Sequence, residues 1–113
     1  MPFTVATWNI NSVRLRLPLV TRFLAEFQPD VLCLQETKCP DELFPAEAFR
    51  AAGYGNIAIS GQKGYHGVAT LSRRPLELVE KRDFCAKGDC RHLSVKLDAG
   101  GRKVLLHNFY VPA

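Results

Sequence analysis

The sequence contains no long hydrophobic run and no signal-peptide pattern. None of its apolar stretches approaches the ~20 residues that a helix needs to span a membrane. Pro2 and Thr4 also interrupt the order of basic and then apolar residues that marks a signal peptide. We therefore expect a cytoplasmic protein without a membrane partner.

The four cysteines form no C-x-x-C pair. Cys33 lies inside an apolar run, and the spacing of Cys85, Cys90 and His92 fits no common zinc site. Internal repeats and low-complexity segments are also absent. We expect reduced thiols and no structural zinc.

The net charge is modest. Fifteen Lys and Arg against eleven Asp and Glu leave +4, which is compatible with a polyanionic partner but does not demonstrate one. The 113 residues, 47% of them hydrophobic, suffice for one domain at most, with a real core.

Two predicted strands each end on a polar side chain. Residues 31–34 form an uninterrupted apolar run, which predicts a strand buried on both faces, and Glu36 follows it. Asn9 follows the β-rich residues 3–8. The carboxyl ends of strands in layered α/β sheets open onto the crevice where ligands bind, so both side chains are candidate metal ligands. A solvated loop glutamate is the alternative for Glu36.

A helix is predicted between these two strands. Apolar side chains recur there at helical spacing, at Leu17, Val20, Leu24 and Phe27. Their common face is expected to pack on the sheet, and Pro29 ends the helix. A parallel strand–helix–strand unit would bring Asn9 and Glu36 to one sheet edge. Two oxygen donors suit Mg²⁺ or Mn²⁺ better than zinc.

The remaining sequence predicts one short helix and five strands. The helix covers residues 46–52 and ends at Gly53. The strands are predicted at residues 56–60, 68–72, 76–81, 91–97 and 103–111. The spacing of the first three is that of antiparallel hairpins, and residues 98–101 predict a further hairpin turn. Mixed strands with few helices indicate an α/β fold, a layered sandwich.

Four motifs follow one another along the chain. They are Trp-Asn-Ile-Asn at residues 8–11, Pro-Asp-Val-Leu-Cys-Leu-Gln-Glu-Thr-Lys at 29–38, Gly-Gln-Lys-Gly-Tyr-His-Gly-Val-Ala at 61–69 and Asn-Phe-Tyr-Val-Pro at 108–112. In this order they resemble the amino-terminal half of the exonuclease III family of apurinic/apyrimidinic endonucleases, within the endonuclease/exonuclease/phosphatase superfamily. The Gln-Glu-Thr element alone is common to many phosphoesterases of that superfamily.

The resemblance implies a DNase I-like, four-layered α/β sandwich in which two mixed sheets pack face to face between helices. Family members are more than twice this length. Their second half carries Gly-Asp-x-Asn, a later Asp, and Ser-Asp-His, and this sequence contains none of these motifs. We therefore expect residues 1–113 to be the amino-terminal part of a single domain, with its carboxyl-terminal half absent.

The resemblance also implies an activity and its residues. It predicts a Mg²⁺-dependent (or Mn²⁺-dependent) DNA repair nuclease that hydrolyses duplex DNA from 3′ ends and at abasic sites, monomeric as the complete protein. Glu36 would coordinate the metal, Asn9 would support the metal site, and Tyr110 would approach the scissile phosphate.

DNA contact is expected from two loops. Arg14 follows Asn9 on the same edge, and the loop at residues 61–67 offers backbone amides and polar side chains to phosphate. The loop residues proposed for DNA binding are Gln62, Lys63, Gly64 and Tyr65. A hairpin loop with left-handed glycines is the alternative reading. The roles of Lys38 and Arg91 stay open.

Two rival functions accompany this reading. One is another phosphoesterase of the superfamily, acting on a nucleotide, lipid or inositol phosphate. The other is a non-catalytic nucleic-acid-binding fragment. Because the family's aspartate base and histidine have no counterpart here, we expect the 113-residue chain to be inactive alone.

Overall fold

The computed structural model describes residues 3–61, 66–81 and 92–110. Its secondary structure follows the predicted order. The elements are β1 (Val5–Asn9), α1 (Leu17–Phe27), β2 (Val31–Gln35), a 3₁₀ turn (Asp41–Leu43), α2 (Ala46–Ala51), β3 (Asn56–Ser60), β4 (Val68–Ser72), β5 (Leu76–Glu80), β6 (His92–Asp98) and β7 (Lys103–Phe109).

The strands form two sheets. The first has the order β1-β2-β4-β3, in which β1 and β2 are parallel and the other pairs are antiparallel. The second has the antiparallel order β5-β6-β7. The predicted parallel strand–helix–strand unit and the hairpin at residues 98–101 are thus confirmed.

The described residues form three layers. Leu32 and Leu34 face the helices, where they pack with Val20, Leu24 and Phe49. The alternate residues of β2 face the second sheet, in a cluster that contains Val31, Cys33, Leu93, Val95 and Leu97. The prediction that residues 31–34 are buried on both faces is confirmed. Mixed sheets with few helices agree with the predicted α/β class.

Two details of the prediction are wrong. Strand β5 does not form a hairpin with β4; it joins the second sheet beside β6. The Arg73 N–H donates to the Asp30 carbonyl (3.1 Å), and the Arg74 guanidinium pairs with the Asp30 carboxylate (3.2 Å). The chain is therefore held to the first sheet here before it crosses to the second.

The second error concerns helix α1. The helical spacing predicts Phe27 on its buried face, but Phe27 is 68% exposed. Phe23 packs instead, with its ring edge-on to Trp8 at 5.4 Å between centroids. Phe27 lies in the last turn, which ends where Gln28 adopts a left-handed conformation, so Phe27 contacts Phe23 rather than the sheet.

Candidate active site

The loops that follow β1 and β2 are joined to each other by backbone hydrogen bonds. The Ile10 N–H donates to the Gln35 carbonyl (2.9 Å), and the Ser12 N–H donates to the Glu36 carbonyl (2.8 Å). The Val13 N–H continues the series to the Thr37 carbonyl at 3.0 Å. The parallel pairing thus extends past the strands, and it fixes the backbone on both sides of Glu36.

Four non-glycine residues in the loops that follow β1 and β2 have left-handed backbones. Their φ angles are 48° at Asn11, 85° at Ser12, 54° at Glu36 and 50° at Lys38. Such angles are uncommon outside glycine and concentrate at functional sites, where surrounding structure holds them in place. The shared hydrogen bonds between the two loops provide that support.

Glu36 has a partner from the other sheet. Tyr110, directly after β7, donates its hydroxyl proton to Glu36 Oε1 at 3.0 Å, and both side chains are half-buried. Asn9 is exposed and lies opposite Gln35 in the parallel register, one residue before Glu36. The structure therefore brings the strand ends that carry Asn9, Glu36 and Tyr110 to one edge.

The loop at residues 61–67 ends beside Glu36. The Thr37 N–H donates to the Gly67 carbonyl (3.1 Å), and the Lys38 N–H donates to the His66 carbonyl (2.8 Å). At its start, the Gly61 N–H donates to Asp41 Oδ1 at 2.7 Å. The four loop positions predicted to bind DNA, Gln62, Lys63, Gly64 and Tyr65, lie outside the described residues.

Two cations border the same edge. Lys38 Nζ donates to Asn11 Oδ1 at 2.6 Å, and Arg14 Nη2 donates to the Lys38 carbonyl at 3.3 Å. Arg14 is exposed and Lys38 is half-buried. Both side chains therefore lie on the loops that border Glu36, as predicted for Arg14. Arg91 lies outside the described residues.

The available donors fit a hard divalent cation. Glu36 offers a carboxylate and Asn9 an amide oxygen, and Mg²⁺ typically uses one or two carboxylates and retains several waters. Within the described ranges, no three His, Cys, Asp or Glu side chains are grouped so that they could hold a metal ion. The thiols of Cys33 and Cys39 are free and buried, and burial raises the pKa of Cys33 to about 11. Nothing in this part of the chain therefore resembles a thiolate zinc site.

Comparison with known proteins identifies the family. The profile described as "Endonuclease/Exonuclease/phosphatase family" matches residues 6–112. The chain belongs to this family. The motif-based resemblance is confirmed by relatives named for exodeoxyribonuclease III and AP endonuclease activity.

Individual members of the endonuclease/exonuclease/phosphatase family are similar over part of their length. Exodeoxyribonuclease III of Haemophilus influenzae is 37% identical over 75 residues, which are 66% of this chain and 28% of that protein. The structure of an AP endonuclease from Archaeoglobus fulgidus superposes with a TM-score of 0.81 and 38% identity, over 98% of this chain and 42% of that one. A 3′ phosphatase from Neisseria, solved with a product DNA hairpin, superposes with a TM-score of 0.74 and 34% identity, over 92% of this chain and 40% of that one. The chain thus spans well under half of these relatives.

Sequence reasoning missed two buried amides in this family member. Gln35 and Asn108 hydrogen-bond to each other between the sheets, directly behind Glu36 and Tyr110. Gln35 lies inside the motif at residues 29–38 and Asn108 begins the motif at residues 108–112, which is the signal that could have singled them out. No helix in the described ranges is both long and apolar enough to cross a membrane.

Proposed function

We propose that this chain supplies the metal-binding part of a Mg²⁺-dependent DNA repair nuclease of exonuclease III type. The reaction is hydrolysis of phosphodiesters in duplex DNA, from 3′ ends and at abasic sites. The observation that carries the proposal is the 3.0 Å hydrogen bond from the Tyr110 hydroxyl to Glu36, at an edge that also holds Asn9. A carboxylate, an amide and a phenol at one edge provide a metal ligand and a proton donor.

In this proposal Glu36 is the metal ligand, and Asn9 supports the metal site. Mg²⁺ or Mn²⁺, when bound, supplies positive charge against the non-bridging oxygens of the phosphate. The left-handed backbone at Glu36 (φ 54°) supports this role, because strain of this kind is retained where a side chain must be directed to a ligand.

Tyr110 is the proposed catalytic residue. Its hydroxyl carries a proton that is already directed at the Glu36 carboxylate. When a phosphate oxygen lies beside the Glu36 side chain, this single proton can turn from the carboxylate and be donated to that oxygen. Tyr110 would therefore orient the scissile group.

The proposed DNA track consists of Arg14 and the loop at residues 61–67, which includes Gln62, Lys63, Gly64 and Tyr65. Arg14 is exposed, and the carboxyl end of the loop accepts hydrogen bonds from Thr37 and Lys38, next to Glu36. Basic side chains and backbone N–H groups make phosphate contacts that carry no base sequence. Duplex DNA is therefore the proposed partner, bound through its backbone.

We further propose that residues 1–113 are the amino-terminal part of one such domain and are inactive alone. By resemblance, an aspartate base and a histidine belong to motifs that these residues do not include. A missing general base typically removes about 10²–10⁴ in rate. The complete protein is proposed to be a cytoplasmic monomer.

The test is a cleavage assay with this chain and with a chimera. In the chimera, residues 1–113 replace the matching 42% of the Archaeoglobus fulgidus AP endonuclease. The substrates are a duplex with one abasic site and a duplex with a recessed 3′ end, each in Mg²⁺ and in EDTA. We expect no cleavage by the chain alone and Mg²⁺-dependent cleavage by the chimera.

The outcomes separate the rival functions. Cleavage by the 113-residue chain would contradict its proposed inactivity. A folded chimera that hydrolyses a nucleotide, lipid or inositol phosphate but leaves both duplexes intact would favour another phosphoesterase. Duplex binding without cleavage by the folded chimera would favour a nucleic-acid-binding role.

A further inference from the structure

A pair of buried amides lies directly behind the Glu36–Tyr110 hydrogen bond. Gln35 is 9% exposed and Asn108 is 2% exposed. Gln35 Nε2 donates to Asn108 Oδ1 at 2.9 Å, from the first sheet to the second. Gln35 immediately precedes Glu36, and Asn108 lies two residues before Tyr110. The same two strands are thus joined twice, once in the core and once at the edge.

Asn108 is also anchored deep in the first sheet. Its Nδ2 donates to the Ala69 carbonyl at 2.8 Å. The Leu34 carbonyl and Thr70 Oγ1 each lie 3.3 Å from the same nitrogen. One side chain of β7 therefore contacts both β2 and β4, and its amide group is fully hydrogen-bonded, as burial requires.

Gln35 extends the same network to strand β1. Its Nε2 also donates to Thr7 Oγ1 at 3.0 Å and lies 3.3 Å from the Cys33 carbonyl. Thr7 is two residues before Asn9. The network of Thr7, Gln35 and Asn108, which we call the amide clasp, thus joins the three strands whose ends carry the proposed site.

We propose that Gln35 and Asn108 are positioning residues that hold the Tyr110 hydroxyl on the Glu36 carboxylate. The inference rests on the proposed role of Glu36 as a metal ligand. Apolar packing between the sheets is non-directional, whereas the directional hydrogen bonds of a buried amide network favour one arrangement of the strands. A metal-binding carboxylate depends on such outer partners for its orientation, and losing one typically costs about 10–100-fold in metal affinity.

The test measures the Mn²⁺ dissociation constant of the full chain by electron paramagnetic resonance. Gln35→Met removes the amide and keeps the length of the side chain, and Tyr110→Phe removes the edge hydrogen bond. We expect each variant to raise the dissociation constant about 10-fold. Because the clasp acts through Tyr110, the double variant should bind Mn²⁺ no more weakly than Tyr110→Phe alone.

Ser72→Ala is the matched control. Ser72 is fully buried, and its hydroxyl accepts a hydrogen bond from the Arg74 N–H (2.9 Å) at the far end of β4. This variant should lose a buried hydrogen bond and some stability, and the hydrogen bonds of the amide clasp should stay in place. Its Mn²⁺ dissociation constant should equal that of the wild type.

A second readout does not involve metal. In ¹H–¹⁵N nuclear magnetic resonance spectra, the side-chain amides of Gln35 and Asn108 should exchange slowly with water. In ¹H–¹³C spectra, Gln35→Met should shift the aromatic ring signals of Tyr110. Ser72→Ala should leave those signals in place. If Gln35→Met does not fold, Thr7→Val replaces it, since Thr7 is exposed and valine suits a strand. That variant should weaken Mn²⁺ binding in the same direction by a smaller factor.

The possible outcomes distinguish a failure of the proposed function from a failure of the positioning role. Unchanged Mn²⁺ affinity in Glu36→Gln would overturn both the proposed function and the positioning role. Loss of binding in Glu36→Gln, with affinity unchanged in Gln35→Met or Thr7→Val, would overturn the positioning role alone. Independent, multiplicative effects of Gln35→Met and Tyr110→Phe would also overturn it, as would an equal loss in Ser72→Ala.

Discussion

Tyr110 and Glu36 are 74 residues apart in the sequence and meet at a hydroxyl-to-carboxylate distance of 3.0 Å. They come from different sheets, so their contact depends on how the two sheets are packed. The proposed chemistry therefore depends on the core as much as on the loops. Changes at the edge, at the loop base and in the distant core should have distinguishable effects.

Replacing Glu36 should abolish metal-dependent cleavage without unfolding the protein. Glu36→Gln keeps the shape of the side chain and loses the anionic ligand. In the active chimera we expect turnover to fall at least about 100-fold, since a bound metal contributes several kcal/mol to the transition state. The assay is the Mg²⁺ titration of abasic-site cleavage. Glu42→Gln, an exposed glutamate of the 3₁₀ turn, is the control and should behave as wild type.

Arg14 and Lys63 should contribute binding that is independent of base sequence. We expect Arg14→Ala and Lys63→Ala each to weaken duplex binding and to lower the salt slope by about one phosphate contact. Fluorescence anisotropy at several salt concentrations measures this slope. Arg102→Ala, an exposed position of the β6–β7 turn, should not change it. A loss restricted to one duplex sequence would argue against backbone contacts.

Gly67 should tolerate no side chain. Its φ is +96°, and a Cβ built there would overlap Thr37 Oγ1, at the loop base beside Glu36. Gly53 has the same φ of +96° with nothing within 4 Å, so Gly53→Ala is a matched control. The left-handed backbone should cost both variants about 1–2 kcal/mol. Overpacking should lower the free energy of unfolding of Gly67→Ala by a further ~1–3 kcal/mol, which urea denaturation measures. Equal losses would show that the loop base can shift.

Asp30 should stabilise the fold in a pH-dependent way. It is buried at the amino-terminal end of β2, and its pKa is lowered mainly by the hydrogen bond from the Thr4 N–H, and further by Arg74. A carboxyl group whose pKa is lower in the folded state stabilises the fold at pH values above its unfolded value of about 3.9. This stabilisation is lost as the pH falls through the folded-state value. Asp30→Asn should therefore cost about 1.5–3 kcal/mol at pH 7, and less as the pH falls through the folded-state value.

The measurement for Asp30 is urea denaturation across that pH range. Glu47→Gln is the control, because the Glu47 side chain is 89% exposed and pairs only with Arg50 among the ion pairs of the described residues. A difference between wild type and Asp30→Asn that stays constant as the pH falls would show that packing, rather than charge, accounts for the effect.

Local patterns predicted the ends of β1 and β2, and therefore the edge that holds Asn9 and Glu36. The strand character of residues 31–34 and the helix between the strands were sufficient for that. They did not predict that β5 enters the second sheet, because Arg73-Arg74-Pro75 has ordinary turn chemistry. The anchoring of Arg73 and Arg74 to Asp30 is a contact across more than forty residues.

The amide clasp illustrates the same limit within the site. Gln35 and Asn108 are 73 residues apart, and neither position alone indicates the other. Their pairing follows from sheet packing, which no local periodicity encodes. The motif resemblance identified Tyr110 as a site residue but did not explain how its side chain comes to lie beside Glu36.

The most direct test of the metal site is Mn²⁺-induced broadening in the ¹⁵N spectrum of the full chain. Mn²⁺ bound at Glu36 should broaden the backbone signals of residues 9–12 and 35–38 and of Tyr110 first, at substoichiometric metal. Glu36→Gln should remove this local broadening. Broadening centred elsewhere, such as near Asp98, or unchanged in Glu36→Gln, would contradict the assignment of this edge as the metal site.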